Sequence, residues 1–533
     1  MTDIVQDVFN EISLERDPKM WHNNRQGHEM TRKRINFLAE FEETLFSKAF
    51  NLEKNPTMKN DLLAQSFMMK FCKTEDNHQR LKLLNNALIF ATDEKSKEIL
   101  KKREQLIGSK EIRNGKQLTE DNIKLFHPTL RNFSKKIRVK NESGRGRFLI
   151  AGEDILPGEQ IARELSFATF LDRKFVNTNC DNCTRPVSLY HMLGCPNCSL
   201  ARYCSEECQK TALASHHKNE CLVQDTLYKS GTGAWILAYR IVGSRNLSYW
   251  TDLKKKLVSH NEDLGIEEEV YDSEDVMTVF NLVTHDTAAR EAPILMKECI
   301  TALFFLRSLQ AKNYFGRDSS DKPRTGTLSA DEMFIAMLLH HFMRVVFYNC
   351  HELTELQRGS QWSENKIVKI GVAINPSLAL INHSCDSNYA RVMSGRHVKA
   401  FATRTIKAGE EILDVYSGTF AASEADDRSV VHARYNFCCL CPACKNAWPT
   451  QTLLAKNVSK AHLMAEQVSD SDVKKVDKSY KLTTSNDWKK KTSSKEAHDS
   501  LVNLLVNQEL KHPHCLKYQA EVNLESSYIL KLT

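Results

Sequence analysis

Between residues 180 and 221 the chain sets its cysteines out in close pairs: Cys180-x2-Cys183, Cys195-x2-Cys198, Cys204-x3-Cys208 and His217-x3-Cys221. Seven of the 16 cysteines fall in this stretch, four more lie between Cys438 and Cys444, and Cys385 stands between the two groups. The opening, Met1 to Met20, is acidic where a signal peptide is basic and lacks an apolar core, which predicts no secretory signal. Thiols so clustered then read as zinc ligands and not as disulfides. The eight donors of the four pairs match two tetrahedral ions, and a chelating pair on a short turn lowers the entropy lost in assembling each sphere. His216 is a competing imidazole, although the spacing to Cys221 favours His217. Closed four-ligand sites offer no position for a reacting water, so the expected role is structural. Cys72, Cys299, Cys350 and Cys515 are isolated and read as small buried hydrophobes.

A second group is incomplete. In "YNFCCLCPACKNAW", Cys439, Cys441 and Cys444 supply three thiolates, one short of a closed site. Cys385, in "INHSCDSN", can supply the fourth if the chain folds back; Cys438 is an alternative ligand by proximity, while the spacing before Cys441 favours Cys439.

The chain has 533 residues, enough for several cores, with 41% hydrophobic and 26% charged residues. The net charge of +7 separates 74 basic from 67 acidic residues, too small a bias to identify a nucleic-acid binder. No apolar run approaches the length of a membrane span. Residues 1–130 show helical stripes, as at Phe37, Phe41 and Leu45 or Leu81, Leu84 and Leu88. From residue 131 short strands and Gly or Pro-Gly turns take over, in "KKIRVKNESGRGRFLIAGEDILPGEQIAREL". The spacing is too short for βαβ crossovers, and the glycine turn by itself is a hairpin or loop. The cysteine-dense segment covers 180–221, and 222–359 is mainly helical. Short β segments return over 360–434 in "KIVKIGVAINPSLAL", "YARVMSG", "HVKAFATRTI" and "EEILDVYS". One β domain interrupted by inserts is more economical than two incomplete ones. A cysteine turn at 435–446 and a polar, lysine-rich linker with a short helical tail at 447–533 complete the pattern.

The order of "GRGRFLIAGEDILPGE", the cysteine–histidine cluster, "NHSC", "DVYSG" and "YNFCCLCPAC" resembles the SET and MYND domain family of protein-lysine methyltransferases, most like the SMYD4 branch and its insect relatives. The resemblance covers about residues 135–445. It implies an α+β multidomain chain: a SET-type β fold with a pseudoknot, interrupted by a zinc-binding MYND insert and a helical insert and flanked by helical regions. It pairs Cys180, Cys183, Cys204 and Cys208 on one zinc, and Cys195, Cys198, His217 and Cys221 on another. Cys385, Cys439, Cys441 and Cys444 hold a third, making three structural Zn2+ ions. Gly144, Arg145, Gly146 and Arg147 look like the first S-adenosyl-L-methionine-binding turn, and Asn382 and His383 match a cofactor-contacting pair. Tyr416 resembles a tyrosine of the methyl-transfer channel. Tyr435 matches one of the post-SET turn, with both catalytic and cofactor contacts expected, and Phe437 is placed to stack on adenine.

The implied reaction moves a methyl group from S-adenosyl-L-methionine to a neutral lysine amine of a histone or non-histone protein. One departure stands out: in "NCHEL", Leu353 occupies a place where relatives carry an aromatic, which predicts a thinner channel lining. That favours the rival reading, a MYND-centred interaction or transcriptional scaffold with a weak or inactive SET domain. A nucleic-acid-binding factor ranks third, since no recognition helix or base-reading motif is seen. The expected partners are a protein or peptide lysine substrate and a protein docking on the MYND module, with direct nucleic-acid binding not primary and no membrane. A monomer in the cytoplasm, with the nucleus as a second compartment, is expected.

Overall fold

The computed structural model describes residues 127 and 129–450, apart from 144, 188–191, 261–269, 285–291, 317–327, 358–365, 417 and 436, together with 502, 505 and 524. The helical readings of residues 1–126 and of the tail from 451 lie outside the described residues. Within them the chain is a mixed α+β structure.

Strands β1 (Ile137–Glu142) and β2 (Gly146–Ala151) form an antiparallel hairpin in the register Ile137 to Ala151 and Glu142 to Gly146. Gly146 closes it at φ +78°, a conformation that an L side chain rarely tolerates. β3 (Gln160–Leu165) pairs with β11 (His397–Ala402), which pairs with β10 (Tyr389–Ser394). β4 (Ala168–Leu171) pairs with β8 (Lys366–Ile374), which pairs with β7 (Cys350–Gln357). Gly371 is required in β8, because a Cβ there would lie 2.1 Å from the Phe170 carbonyl oxygen. β7 closes the stretch 222–359, read from the sequence as mainly helical with a connecting region, and its Leu353 is turned into the β core. β7 pairs along its whole length with the next strand, β8, and its cross-strand partners, more than its own periodicity, make it a strand.

Two two-residue ladders complete the described strands. β5 (Leu193–Gly194) pairs antiparallel with β6 (Arg202–Tyr203), and β9 (Asn382–His383) pairs parallel with β12 (Leu413–Asp414).

The helices are α1 (Glu206–Ala214), α2 (His217–Glu220), α3 (Gln224–Lys229), α4 (Ile236–Gly243), α5 (Leu247–His260), α6 (Val276–Phe280), α7 (Ala292–Ala311), α8 (Ala330–Asn349), α9 (Ala425–Arg434) and α10 (Pro442–Lys445). Every residue of α4 is buried, as its nearly uninterrupted apolar sequence requires. α8 starts at a capping box, in which Ser329 Oγ accepts from the Glu332 amide and Glu332 accepts from the Ser329 amide. Helices α3 to α8 build one core against Phe170 of β4 and Ile374 of β8. A second core, including Ile137, Leu149, Ile161, Ile370, Leu380 and Ile412, joins the hairpin to the other strands.

The path from β8 to β9 is held from β3. The Glu164 carboxylate accepts the Ser377 amide at 2.9 Å and the Leu378 amide at 3.1 Å, fixing the one-turn helix Leu378–Leu380 that delivers Asn382 and His383. Burial pushes the Glu164 carboxyl up from an ordinary 4.5 to about 7, against the pull of those two amides. Across that window the folded chain binds the proton more tightly than the unfolded one, so this contribution to stability falls as pH rises.

Truncation of Glu164 to Ala leaves both amides buried without their acceptor, and equilibrium unfolding in urea should show a loss of about 1–3 kcal/mol. The stability advantage of the wild type over Glu164→Gln should shrink between about pH 5 and about pH 8, as the acid's proton leaves; an advantage that grows instead contradicts the assignment.

Candidate active site and metal centres

A cavity of about 840 Å³ lies where the hairpin, β9, β12 and the cysteine turn after α9 meet. It brings together Arg145, Gly146, Arg147, Asn382, His383, Tyr416, Tyr435 and Phe437, all singled out from the sequence; Gly144 lies outside the described residues. The backbone of residues 410–412 runs beside β2: the Ile412 amide donates to the Leu149 carbonyl at 2.8 Å and the Ala151 amide to the Glu410 carbonyl at 2.8 Å. This pairing brings Glu411 to the hairpin turn, where its carboxylate takes Arg145 and, at 3.2 Å, the Asn382 amide. Arg147 is held by the Tyr271 hydroxyl at 3.0 Å and the Asn281 carbonyl at 2.8 Å.

His383 links the cavity to the thiolates. Its Nδ1 accepts the Tyr416 amide at 3.0 Å, which leaves the ring proton on Nε2, 3.5 Å from Cys385 Sγ. Burial first, and then the neighbouring His432 ring, pushes His383 down to about 4, so the imidazole is neutral at pH 7. His432 stacks on Phe437 with ring centroids 5.2 Å apart, and Tyr416 lies 5.6 Å from Tyr435. Burial, then Asp414, holds the Tyr416 phenol above its ordinary range; its hydroxyl donates to the Ile381 carbonyl at 2.8 Å.

Three groups of four that contain at least three cysteines have donor atoms within 4.8 Å of one another: Cys180, Cys183, Cys204 and Cys208; Cys195, Cys198, His217 and Cys221; and Cys385, Cys439, Cys441 and Cys444; a fourth set, His383, Cys385, His432 and Cys439, overlaps the last through Cys385 and Cys439. A tetrahedral zinc with Zn–S of about 2.3 Å sets sulfurs about 3.8 Å apart. The separations fit: 3.5 Å for Cys183 to Cys204 and for Cys204 to Cys208, 3.9 Å for Cys195 to Cys221 and for Cys385 to Cys439, and 3.5 Å for Cys385 to Cys444. His217 Nε2 lies 3.3 Å from Cys195 Sγ and 3.4 Å from Cys198 Sγ. His216 instead puts Nε2 3.1 Å from Asp181, so the choice between adjacent imidazoles falls on His217. Cys438 is exposed and belongs to none of the groups. The core around the first two groups consists of Val187, Met192, Ala201, Tyr203 and Ala212 plus cysteines, too little apolar surface to hold the segment without cross-links.

Several residues here escaped the sequence reading. Arg428, 1% exposed, donates to Cys385 Sγ at 3.2 Å and Cys444 Sγ at 3.7 Å, and binds the Ser423 carbonyl. Nothing in the helical stripe of α9 marks it. Glu411 was hidden because its ion-pair partner, Arg145, comes from the opposite end of the β unit. Tyr348, five residues before Leu353, lines the cavity, whereas Leu353 is fully buried elsewhere. The expected thinning of the aromatic wall by Leu353 is therefore corrected. The signal was present in "FYNC", at the end of α8.

Comparison with known proteins adds an independent line. The profile described as the SET domain matches residues 59–417. The chain is 25% identical over 401 residues to the human "Protein-lysine N-methyltransferase SMYD4", covering 62% of this chain and 48% of that protein. It is 27% identical over 302 residues to the human "Histone-lysine N-methyltransferase SMYD3", covering 56% of this chain and 59% of that one. A "SET and MYND domain-containing protein" of Dictyostelium discoideum is 24% identical over 336 residues, covering 58% of this chain and 81% of its own length. The chain thus spans about half the length of the SMYD4 proteins it matches.

Metal analysis by mass spectrometry should return one zinc for each of the three groups, and Cys385→Ser should lose only the ion of its own group. Arg428→Met, which removes the cation donating to two thiolates, should speed chelator-driven zinc release by about tenfold while leaving the other two ions in place. Unchanged release would show that Arg428 acts on packing alone.

Proposed function

Since this chain belongs to the SET domain family, we propose that it is a protein-lysine N-methyltransferase that uses S-adenosyl-L-methionine, with a SET-type pseudoknot and a MYND-type module holding two of three structural zinc ions. The observation that carries the reading is the single cavity in which the Gly-Arg turn, the Asn-His pair and the tyrosines of three separate segments converge. The parallel pairing of β9 with β12 supports the threaded topology, because the β10–β11 hairpin lies between them in the chain. The donor set fits the cofactor: guanidinium groups and the Glu411 carboxylate suit an amino-acid terminus, and Tyr435 and Phe437 offer aromatic faces to a base. Its volume is that of a small-molecule site.

When bound, S-adenosyl-L-methionine supplies an electrophilic methyl group on a sulfonium. The protein must then supply a neutral amine, since free lysine of pKa about 10.4 is uncharged in only about one molecule in several thousand at pH 7. The half-buried tyrosines of the cavity would disfavour an ammonium by desolvation and exclude the water that would compete for position. Tyr416, anchored through its hydroxyl to Ile381 and through its amide to His383, is held rigidly enough to orient the amine's lone pair. His383 is neutral and both of its ring nitrogens are engaged, so it positions Tyr416 and is not a base.

β12 also offers a route for the substrate chain. It presents Leu413 to the large cavity and Asp414 to a second cavity of about 260 Å³, as strand alternation demands. That second cavity is lined by Glu352, Glu355, Tyr389 and Arg391, and a peptide lying in it would meet carboxylates suited to basic neighbours of the lysine. The binding-only scaffold drew part of its support from Leu353, and with Leu353 in the core that part falls away.

Transfer of radiolabelled methyl groups from S-adenosyl-L-methionine to a panel of histone and non-histone proteins tests the proposal. Tyr416→Phe should lower the rate on the order of 100-fold while cofactor affinity, measured by calorimetry, changes little. Cofactor binding with no transfer to any protein would leave the scaffold reading in its place.

A further inference from the structure

A third cavity, of about 370 Å³, opens where the cysteine-rich segment, the β unit and α4 meet. Asn182, Thr211 and Ser215 line it from the first, Arg396 from the second, and Arg240 of α4 and Arg245 just beyond its end from the third. The three arginines are not equivalent. Arg240 is buried and satisfied: it binds Glu220 through Nε at 2.7 Å, Asp181 at 3.1 Å and the Thr169 carbonyl at 2.6 Å. Arg245 and Arg396 have no carboxylate partner among the described residues. Arg245 packs its guanidinium over the rings of Phe167 at 4.9 Å, Tyr249 at 5.2 Å and Trp250 at 5.9 Å. Ring faces hold a guanidinium by its flat side and leave its N–H edge for acceptors in the plane, one of which is already Ser244 Oγ, at 3.1 Å from Nη1. Arg396 binds the Ser166 carbonyl at 2.8 Å, while its Nε is buried with no hydrogen-bond partner.

The end of α4 would ordinarily repel an anion here, because its last carbonyls carry partial negative charge. Each of them is engaged. The Ser244 amide donates to Arg240 and the Ser244 hydroxyl to Ile241 at 2.8 Å; Trp250 Nε1 donates to Val242 at 3.0 Å and the Asn219 amide to Gly243 at 2.7 Å. Two cations without carboxylates, together with Asn182 and Thr211, thus line one opening.

We infer that this junction cavity is an oxyanion site for a phosphate group, gripped between Arg245 and Arg396. Phosphate is favoured over a planar carboxylate because donors approach from three structural units and a tetrahedral oxyanion can meet all of them. An occupant would clamp the cysteine-rich segment to the β unit and α4, and stabilise their junction by mass action. The site does not depend on the methyl-transfer reading.

Calorimetric titration of the full chain, in chloride buffer of constant ionic strength, with inorganic phosphate and separately with O-phosphoserine tests this. The expected result is saturable binding of one equivalent, weakened by about tenfold or more in both Arg245→Gln and Arg396→Gln. Binding of both probes identifies free phosphate as a sufficient occupant; binding of O-phosphoserine alone identifies a phosphorylated side chain. Zinc content is measured on each variant. If Arg396→Gln loses zinc, Arg396 serves the thiolates of Cys180, Cys183, Cys204 and Cys208, and Arg245→Gln alone decides the anion site. Absence of saturable binding by either probe, or binding unaltered in Arg245→Gln, overturns the inference.

Discussion

Cys385 is the point on which the site turns. Its sulfur lies 3.5 Å from Cys444, 3.9 Å from Cys439, 3.2 Å from the Arg428 Nε and 3.5 Å from the His383 ring. Its neighbours in the chain belong to the loop after β9, whereas the other sulfurs come from the turn into α10 more than fifty residues later. One thiol therefore joins the loop that carries the Asn-His pair to the segment that carries Tyr435 and Phe437. With the four sulfurs on one ion, the cavity wall becomes part of a metal-cross-linked unit, and the loop-closure entropy of the long intervening chain is offset by coordination.

The electrostatics of that unit are matched to this geometry. Four thiolates on a divalent ion carry net negative charge, and an excess of that kind is expensive away from water. Arg428 supplies a buried counter-charge by direct N–H to sulfur contact, and the His383 Nε2 proton faces the same sulfur. The second contact requires the His383 tautomer in which Nδ1 is an acceptor, and the Tyr416 amide occupies that acceptor. The state of the metal group is thereby linked to the backbone position of the tyrosine at the proposed transfer step, through one ring whose two nitrogens are both committed.

Much of this was legible in the sequence, and what was not has physical causes that differ from residue to residue. Ligand pairs, glycine turns and amphipathic stripes are local, so the cysteine groups, the β1–β2 hairpin and α4 could be read directly from spacing. The assignment of Cys385 to Cys439, Cys441 and Cys444 came from resemblance, as spacing alone left Cys438 open. Glu411 and Arg428 were missed because their partners are the hairpin turn and a distant thiol pair, whereas β7 was missed although its partner β8 is the next strand. Leu353 was misread for the opposite reason: a residue was matched to a channel by its position after a helix end, when the chain had already turned into a strand whose face points to the core. A one-residue change of strand face is enough to move a side chain from a site to a core.

The parallel ladder of β9 and β12 could not persist on its own, since it spans two residues on each strand and its partners cannot be joined by a tight turn. Its stability has to come from either side. On one side Asn388 uses its whole side chain, accepting the Leu413 amide at 2.9 Å and donating to the Glu411 carbonyl at 2.8 Å. On the other, the Ser384 amide donates to the Asp414 carbonyl at 2.8 Å, and the Phe420 amide donates to the Cys385 carbonyl at 2.9 Å, next to the thiolate group. Upstream, Glu164 fixes the turn that feeds β9. The site is therefore placed by contacts that flank the ladder and not by the ladder itself. Its accuracy depends on side chains from β3, the loop before β10 and the cysteine turn being correct together, which is why the residues that build the wall are scattered over almost the whole of the β unit.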